Sequence, residues 1–337
     1  MAVPVMPESS EHIILSRTDS IGDVMLTLPM AGLLKQRFPQ CYITFIGRGY
    51  TAPVLENCHH VDKVVTLEEL TANGDRGAVE AMRRLHADAI VHVFPVHRIA
   101  RWAHHAGIDH RIGTSRRWWH WLHCNHRISF SRRKSDLHEA QLNTRLLAPF
   151  GITTMLGTSD LWRYSGFVPP RPDQRVRDLL MSGKKKVIIH PMSSGSAVEW
   201  GFAQVTELMH LIDPASFQII ITGTASEAER YRAHLPLHLS NVTDTGGMLG
   251  LHDLMALIGR ADALVAASTG PLHIAAAAGI RAIGLYADVR PIHPGRWAPI
   301  GKDTHVLVQE DPATDDPQKM IAAIEPARVL HLLEELQ

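Results

Sequence analysis

Cysteine is scarce in this chain. Its three cysteines, Cys41, Cys58 and Cys124, are an odd number without metal-ligand spacing, which argues against a disulfide framework or a cysteine zinc site and fits a reducing compartment. Neither sign of charge dominates. Lys+Arg and Asp+Glu total 34 each, so the net charge is zero and the broad positive field of a dedicated nucleic-acid binder is missing. No apolar run approaches the ~18 residues of a membrane span, and Met1 to His12 has no basic region of the kind that opens a signal peptide. The cytoplasm is therefore the expected location. The 22 histidines include no His-Glu-x-x-His spacing, so no metal is expected.

What is present is ordinary globular composition, with 45% hydrophobic and 20% charged residues, which excludes wholesale disorder, collagen and coiled coil. At ~150 residues per domain, 337 residues predict about two domains. Apolar patterning supplies their class. His12–Ser16 reads as a strand, 17–23 as a polar loop, and Val24, Leu26, Leu28, Leu33 and Leu34 as one face of a helix. Strand patterns recur at 41–46, 63–66 and 89–94, then at 187–190, 217–222, 263–267 and 281–286, with helical patterns between them. The expectation is an α/β fold of two Rossmann-like, doubly wound domains facing across a cleft, with ligands beyond the carboxyl ends of the strands. The predicted division is 1–168, a Pro-rich linker at 169–186, a second domain at 187–318, and a closing helix at 319–337 packing back on the N-terminal domain.

Several loops carry chemistry. In Arg17-Thr18-Asp19-Ser20-Ile21-Gly22-Asp23, Gly22 permits close approach of a ligand, and Asp23 reads either as a first-turn acid stabilising the helix dipole or as a general base. In Ser268-Thr269-Gly270-Pro271-Leu272-His273, hydroxyls and Gly end a strand while Pro271 opens a helix; this is either plain capping or a diphosphate site at a helix start. The loop His190-Pro191-Met192-Ser193-Ser194 is a second hydroxyl-rich turn aimed at the same sheet edge. Gly47-Arg48-Gly49, with Glu68 and Glu69 about 20 residues on, fits a loose dinucleotide fingerprint and predicts, as an alternative, an NAD(P)-dependent oxidoreductase.

Between Arg98 and Lys134 there are nine Arg/Lys, including Arg98, Arg116 and Arg117, against the single acid Asp109, with four tryptophans interleaved. A solvated helical face, a nucleic-acid surface and a grip for an anionic small molecule or lipid head group all read from this stretch. A non-catalytic polyanion- or carbohydrate-binding protein is the second alternative. With the charge of the rest balanced, a nucleic-acid partner is not expected.

Three stretches, 13–29 (IILSRTDSIGDVMLTLP), 268–279 (STGPLHIAAAAG) and 283–301 (IGLYADVRPIHPGRWAPIG), together resemble the bacterial heptosyltransferases, glycosyltransferase family 9. The resemblance implies a GT-B architecture, with the acceptor on the N-terminal domain and a nucleotide sugar on the C-terminal one. It implies transfer of heptose from ADP-heptose, with inversion and without a metal or other cofactor, onto the lipopolysaccharide core. Residue by residue it makes Asp23 the catalytic base, with Gly22 beside it as an acceptor-binding residue. Ser193 and Ser194 become the loop touching the donor phosphates, and Glu227 the acid near the donor ribose. Thr269, Gly270 and His273 become the phosphate-binding helix start. Arg98, Arg116 and Arg117 would then grip an anionic glycolipid core at the inner face of the membrane. Two departures stand out. Ala197-Val198-Glu199 replaces a stretch that in the family often holds a phosphate-binding Lys before the Trp matched by Trp200. Ser268 stands where many members have Asp. Arg296 is the expected substitute for the missing positive charge.

Overall fold

The computed structural model describes residues 11–310 and 314–336, so most of the stretch from Met1 to His12 lies outside the described residues. The chain divides into two compact units, Met1–Val168 and Pro169–Gln337. The first holds a parallel six-stranded sheet of β1 (His12–Ser16), β2 (Tyr42–Gly47), β3 (Lys63–Thr66), β4 (Ala89–His92), β5 (His110–Thr114) and β6 (His126–Ile128), in the order β3-β2-β1-β4-β5-β6. The second holds β7 (Lys185–His190), β8 (Phe217–Ile221), β9 (Val242–Asp244), β10 (Ala263–Ala267), β11 (Arg281–Leu285) and β12 (Thr304–Leu307), in the order β12-β11-β10-β7-β8-β9. Both are doubly wound α/β sheets, as the alternating pattern predicted.

The central strands read as unbroken apolar runs because helices cover both faces of a parallel sheet. Ile13, Ile14 and Leu15 of β1, Val187 to Ile189 of β7 and all five residues of β10 are buried. This order puts a reversal in each sheet. The chain runs outward from β1 through β2 and β3, then returns to β4 on the other side of β1; β7 and β10 repeat the arrangement. The loops leaving β1 and β4, and those leaving β7 and β10, therefore diverge at the carboxyl edge, where such sheets bind ligands.

Four strands, β5, β6, β9 and β12, have no counterpart in the sequence reading. They are short and half polar (HRIGT, HRI, VTD, THVL), because strands at or near a sheet edge need only an inward-facing apolar residue or two. Two of them lie inside the basic stretch, which is accordingly not one helical face.

The segment 169–186 is more than a linker. It carries the helix Gln174–Leu179, whose N-cap Asp173 accepts from Val176 N at 2.8 Å and which packs on the helix Leu251–Ile258, and its last two residues already belong to β7. The closing helix Pro326–Glu334 packs on the helix Phe202–Leu211 of its own unit, with Val329 and Leu333 fully buried and Trp200 Nε1 donating to Ile324 O at 3.1 Å. Its apolar face is occupied within that unit. Among the described residues, no helix is long and apolar enough to cross a membrane.

Candidate functional site

In the first unit, the loop after β1 turns into the helix Ile21–Met25, and Ser20 is its N-cap. Asp23 is in the first turn, so its capping role is real: Ser20 Oγ donates to Asp23 Oδ2 at 2.5 Å, and Asp23 N lies 3.5 Å from Ser20 Oγ. The capping does not exhaust the carboxylate. Its other oxygen accepts from Arg17 Nη2, and a carboxylate offers about four lone-pair sites, so room remains for a substrate hydroxyl on a side chain still 16% exposed. Gly22 is buried beside it in the helix.

Arg17 was not singled out by any sequence motif, yet it organises the site. Its side chain is 3% exposed, donating from Nε to Asp19 Oδ1 at 2.7 Å and from Nη1 to Glu139 Oε1 and Asn143 Oδ1, both at 3.1 Å. Arg132 joins the same pair from the other side, reaching Glu139 Oε1 at 2.9 Å and Asn143 Oδ1 at 2.7 Å. Burial alone lowers the Arg17 pKa, but the charges of Asp23, Asp19 and Glu139 reverse that, and the guanidinium is held protonated. Burial also pushes Asp19 up to about 6, against the pull of Arg17 and with the push of Asp23. Asn143 Nδ2 donates to Leu26 O at 3.2 Å and Thr27 Oγ1 donates to Asp23 O at 2.8 Å, so the helix carrying Asp23 is tied to the helix Glu139–Thr144. Glu139 lies 122 residues from Arg17, a partnership without any local sequence signal. At the same edge His92, which ends β4 opposite Ser16 in register, is buried and kept neutral by that burial; its ring nitrogens and Ser16 Oγ have no hydrogen-bond partner among the described residues.

In the second unit, β10 ends at Ala267, Ser268 and Thr269 follow, and the nine-residue helix Gly270–Ala278 begins with Pro271 in its first turn. Thr269 is the N-cap residue, but its side chain makes no capping bond. It is 4% exposed, and Oγ1 is a buried hydroxyl without a partner among the described residues. His273 is buried one turn along, and Ser268 hydrogen-bonds the buried Tyr286, whose hydroxyl donates to Trp297 O at 2.8 Å.

Across the β7–β10 crevice, the hydroxyl loop is largely satisfied from within. Ser194 is left-handed (φ 48°) and its Oγ donates to Glu227 Oε1 at 2.7 Å. Glu227 Oε2 accepts from Thr224 N at 2.8 Å in a capping box, and although burial raises its pKa, the Ser194 and Thr224 bonds outweigh that and hold it below the usual range. Ser193 N donates to Glu199 Oε1 at 2.9 Å, and its Oγ lies 2.8 Å from Ala197 O and 3.1 Å from Glu199 Oε1. An acid thus sits on the loop expected to meet phosphate, where the resemblance leads one to expect a lysine nearby. Arg296 is half-buried in the helix Pro294–Trp297, its guanidinium carbon 4.8 Å from the Trp297 ring centroid.

The remaining candidates are dispersed. The Gly47-Arg48-Gly49 loop closes on its own acid: Glu68 accepts from Arg48 Nε at 3.0 Å and from Gly49 N at 2.8 Å, so the amide and carboxylate needed for a dinucleotide bind each other. The basic stretch splits. Arg98 and Arg101 pair with Asp75 on the helix Gly74–Arg83, while Arg116 and Arg117 are exposed beyond β5. Among the described residues, no group of three or more His, Cys, Asp or Glu could hold a metal ion.

The family model described as glycosyltransferase family 9 (heptosyltransferase) matches residues 106–322. The chain belongs to that family. A Haemophilus influenzae protein assigned by its name to the glycosyltransferases is 29% identical over 316 residues, 88% of either chain. A family 9 glycosyltransferase of Veillonella parvula superposes with a TM-score of 0.80 at 17% identity, covering 98% of both chains. The E. coli ADP-heptose lps heptosyltransferase II does so with 0.73 at 19% identity, covering 97% of this chain and 98% of that one. The GT-B fold and membership of a glycosyltransferase family are thereby established.

Proposed function

We propose that this family 9 enzyme moves a heptose-class sugar from a nucleoside diphosphate donor, ADP-heptose by analogy with its E. coli relative, to a hydroxyl of an anionic lipopolysaccharide core, with inversion and without a metal. The observation that carries the reading is the Thr269 hydroxyl. Buried, unpartnered and set at the positive end of a nine-residue helix at the β7–β10 reversal, it is the kind of donor a diphosphate satisfies. In the reaction the acceptor oxygen bonds to the anomeric carbon while its proton passes to Asp23, and the bond from that carbon to the diphosphate breaks, its electron pair leaving with phosphate. Backbone N–H groups at the Gly270 turn and the Thr269 hydroxyl stabilise that charge. Glu227, Ser268, His273 and Arg296 frame the donor; Arg116 and Arg117 attract the acceptor.

Two measurements test the donor half. Thr269→Val removes the hydroxyl without removing any protein hydrogen bond, so the apo melting temperature is expected not to fall while ADP affinity drops about tenfold, the worth of a hydrogen bond to a charged group. Unchanged ADP binding by calorimetry would refute the assignment. Glu199→Gln keeps an acceptor for Ser193 N but removes a negative charge beside the phosphates, and ADP is expected to bind roughly fivefold tighter, as ~1 kcal/mol of relieved repulsion. Weaker binding would mean that Glu199 supports the donor loop and does not oppose the donor.

A further inference from the structure

The short helix Trp118–His123 turns its apolar side outward. Trp118, Trp121 and Leu122 are 63%, 60% and 62% exposed. They occupy positions i, i+3 and i+4, which is one helical face, while the residue turned inward is polar: His120 is buried, its Nδ1 2.8 Å from Thr114 O. Scattered exposed apolar residues are normal, but three large ones on a single turn are not. Trp121 Nε1 donates to Ser115 O at 3.0 Å, so the polar edge of that indole is satisfied at home. Cations surround the face. Arg116 and Arg117 are exposed just before it, and Arg127 lies over Trp121 with its guanidinium carbon 4.7 Å from the ring centroid. Between Arg98 and Lys134 the sole acid is Asp109.

We propose that this face docks on an anionic bilayer, with Trp118, Trp121 and Leu122 entering the headgroup region and Arg116, Arg117 and Arg127 meeting lipid phosphates. An outward apolar face ringed by arginine is the composition of interfacial helices. A second copy of the chain is a poorer occupant, because a two-fold contact would set each arginine cluster against itself. Nucleic acid uses aromatic stacking and phosphate charge but has no use for Leu122. The position agrees. The helix follows β5, so it stands at the same carboxyl edge as the Asp23 loop, two strands or about 10 Å along the sheet. Docking there brings the candidate base to a membrane-anchored acceptor. The proposal extends the functional reading without depending on which sugar is moved.

The test is sedimentation of the full chain with vesicles of phosphatidylcholine alone and of phosphatidylcholine with phosphatidylglycerol, without nucleotide or acceptor. Binding is expected only to the anionic vesicles and to weaken at high salt. Replacing Trp118, Trp121 and Leu122 together by Ser is expected to lower partitioning at least ~30-fold, and each Arg→Gln exchange about fivefold, the worth of one cation at an anionic surface. The triple variant should retain ADP affinity, which separates a failure of this proposal from a failure of the donor assignment. If the triple variant does not fold, Trp118→Gln with Leu122→Gln spares the Trp121 bond and is expected to lose most of the binding. No binding to anionic vesicles, or binding unaffected by these changes, would overturn the proposal. So would a dimer that the triple variant dissociates, or tighter binding to an oligonucleotide through the same residues.

Discussion

Replacing Asp23 by Asn or Ala is expected to lower sugar transfer by about 10²–10⁴-fold, the usual contribution of a positioned general base, while ADP affinity stays within a few-fold. In the proposed reaction the acceptor hydroxyl loses a proton as its oxygen bonds to carbon, and the carboxylate that Arg17 and Ser20 hold is the group proposed to take it. The Asn variant is the cleaner one: it keeps the shape of the side chain and a bond to Arg17, and Ser20 remains the N-cap. Arg17 also retains Asp19 and Glu139, so the fold should survive. Turnover measured with ADP-heptose and a core acceptor, beside calorimetric ADP binding, separates the outcomes. Wild-type turnover in Asp23→Asn would remove Asp23 from the chemistry, and lost ADP binding would place its role in the fold.

Arg17→Met is expected to be the most destabilising single change at this site. It removes the guanidinium around which Asp19, Asp23 and Glu139 are gathered, leaving carboxylates in a buried setting where Arg132 holds Glu139 and Asn143. Breaking a buried ion pair by deleting one partner costs about 3–5 kcal/mol, which corresponds to a melting temperature lower by roughly 10 °C for a unit of this size. The pH dependence has a definite sign. Burial already raises Asp19 to about 6 in the fold, above its ordinary value of 3.8. A carboxyl raised on folding adds stability when protonated, and that stability is lost as pH climbs through the folded pKa. Without Arg17 the window extends upward, so the deficit should be smaller at about pH 5 than at about pH 8. Arg17→Lys restores charge but not the fork that serves four partners, and an intermediate melting temperature with reduced kcat is expected. A Met variant melting like the wild type at neutral pH would show that the cluster is not held by this residue.

The candidate residues of the two units differed in how far they could be read from the chain alone. Asp23 and the 268–273 turn were legible because strand-loop-helix junctions advertise themselves locally, by apolar strands that end in Gly, hydroxyls or Pro. Arg17 was visible only as a charge in the loop, since its meaning lies in Glu139 and Asn143, more than a hundred residues away. Glu199 read as a departure from a family pattern, and only its bonds to Ser193 show that it occupies the loop. The basic stretch read as one patch because charge was counted along the chain; folded, Arg98 faces Asp75 while Arg116 and Arg117 belong to another surface. Strands β5, β6, β9 and β12 were missed because a partly solvated strand needs too few apolar residues to declare its period.

The amino-acid order by itself determined the α/β class, the repeated βα succession and the two junctions where chemistry is concentrated, because buried parallel strands and helix starts are set by neighbours a few residues apart. Tertiary structure decided which charges meet, which hydroxyls are satisfied and which tryptophans face outward. Those depend on strand order and packing, which bring together residues that no local interaction relates.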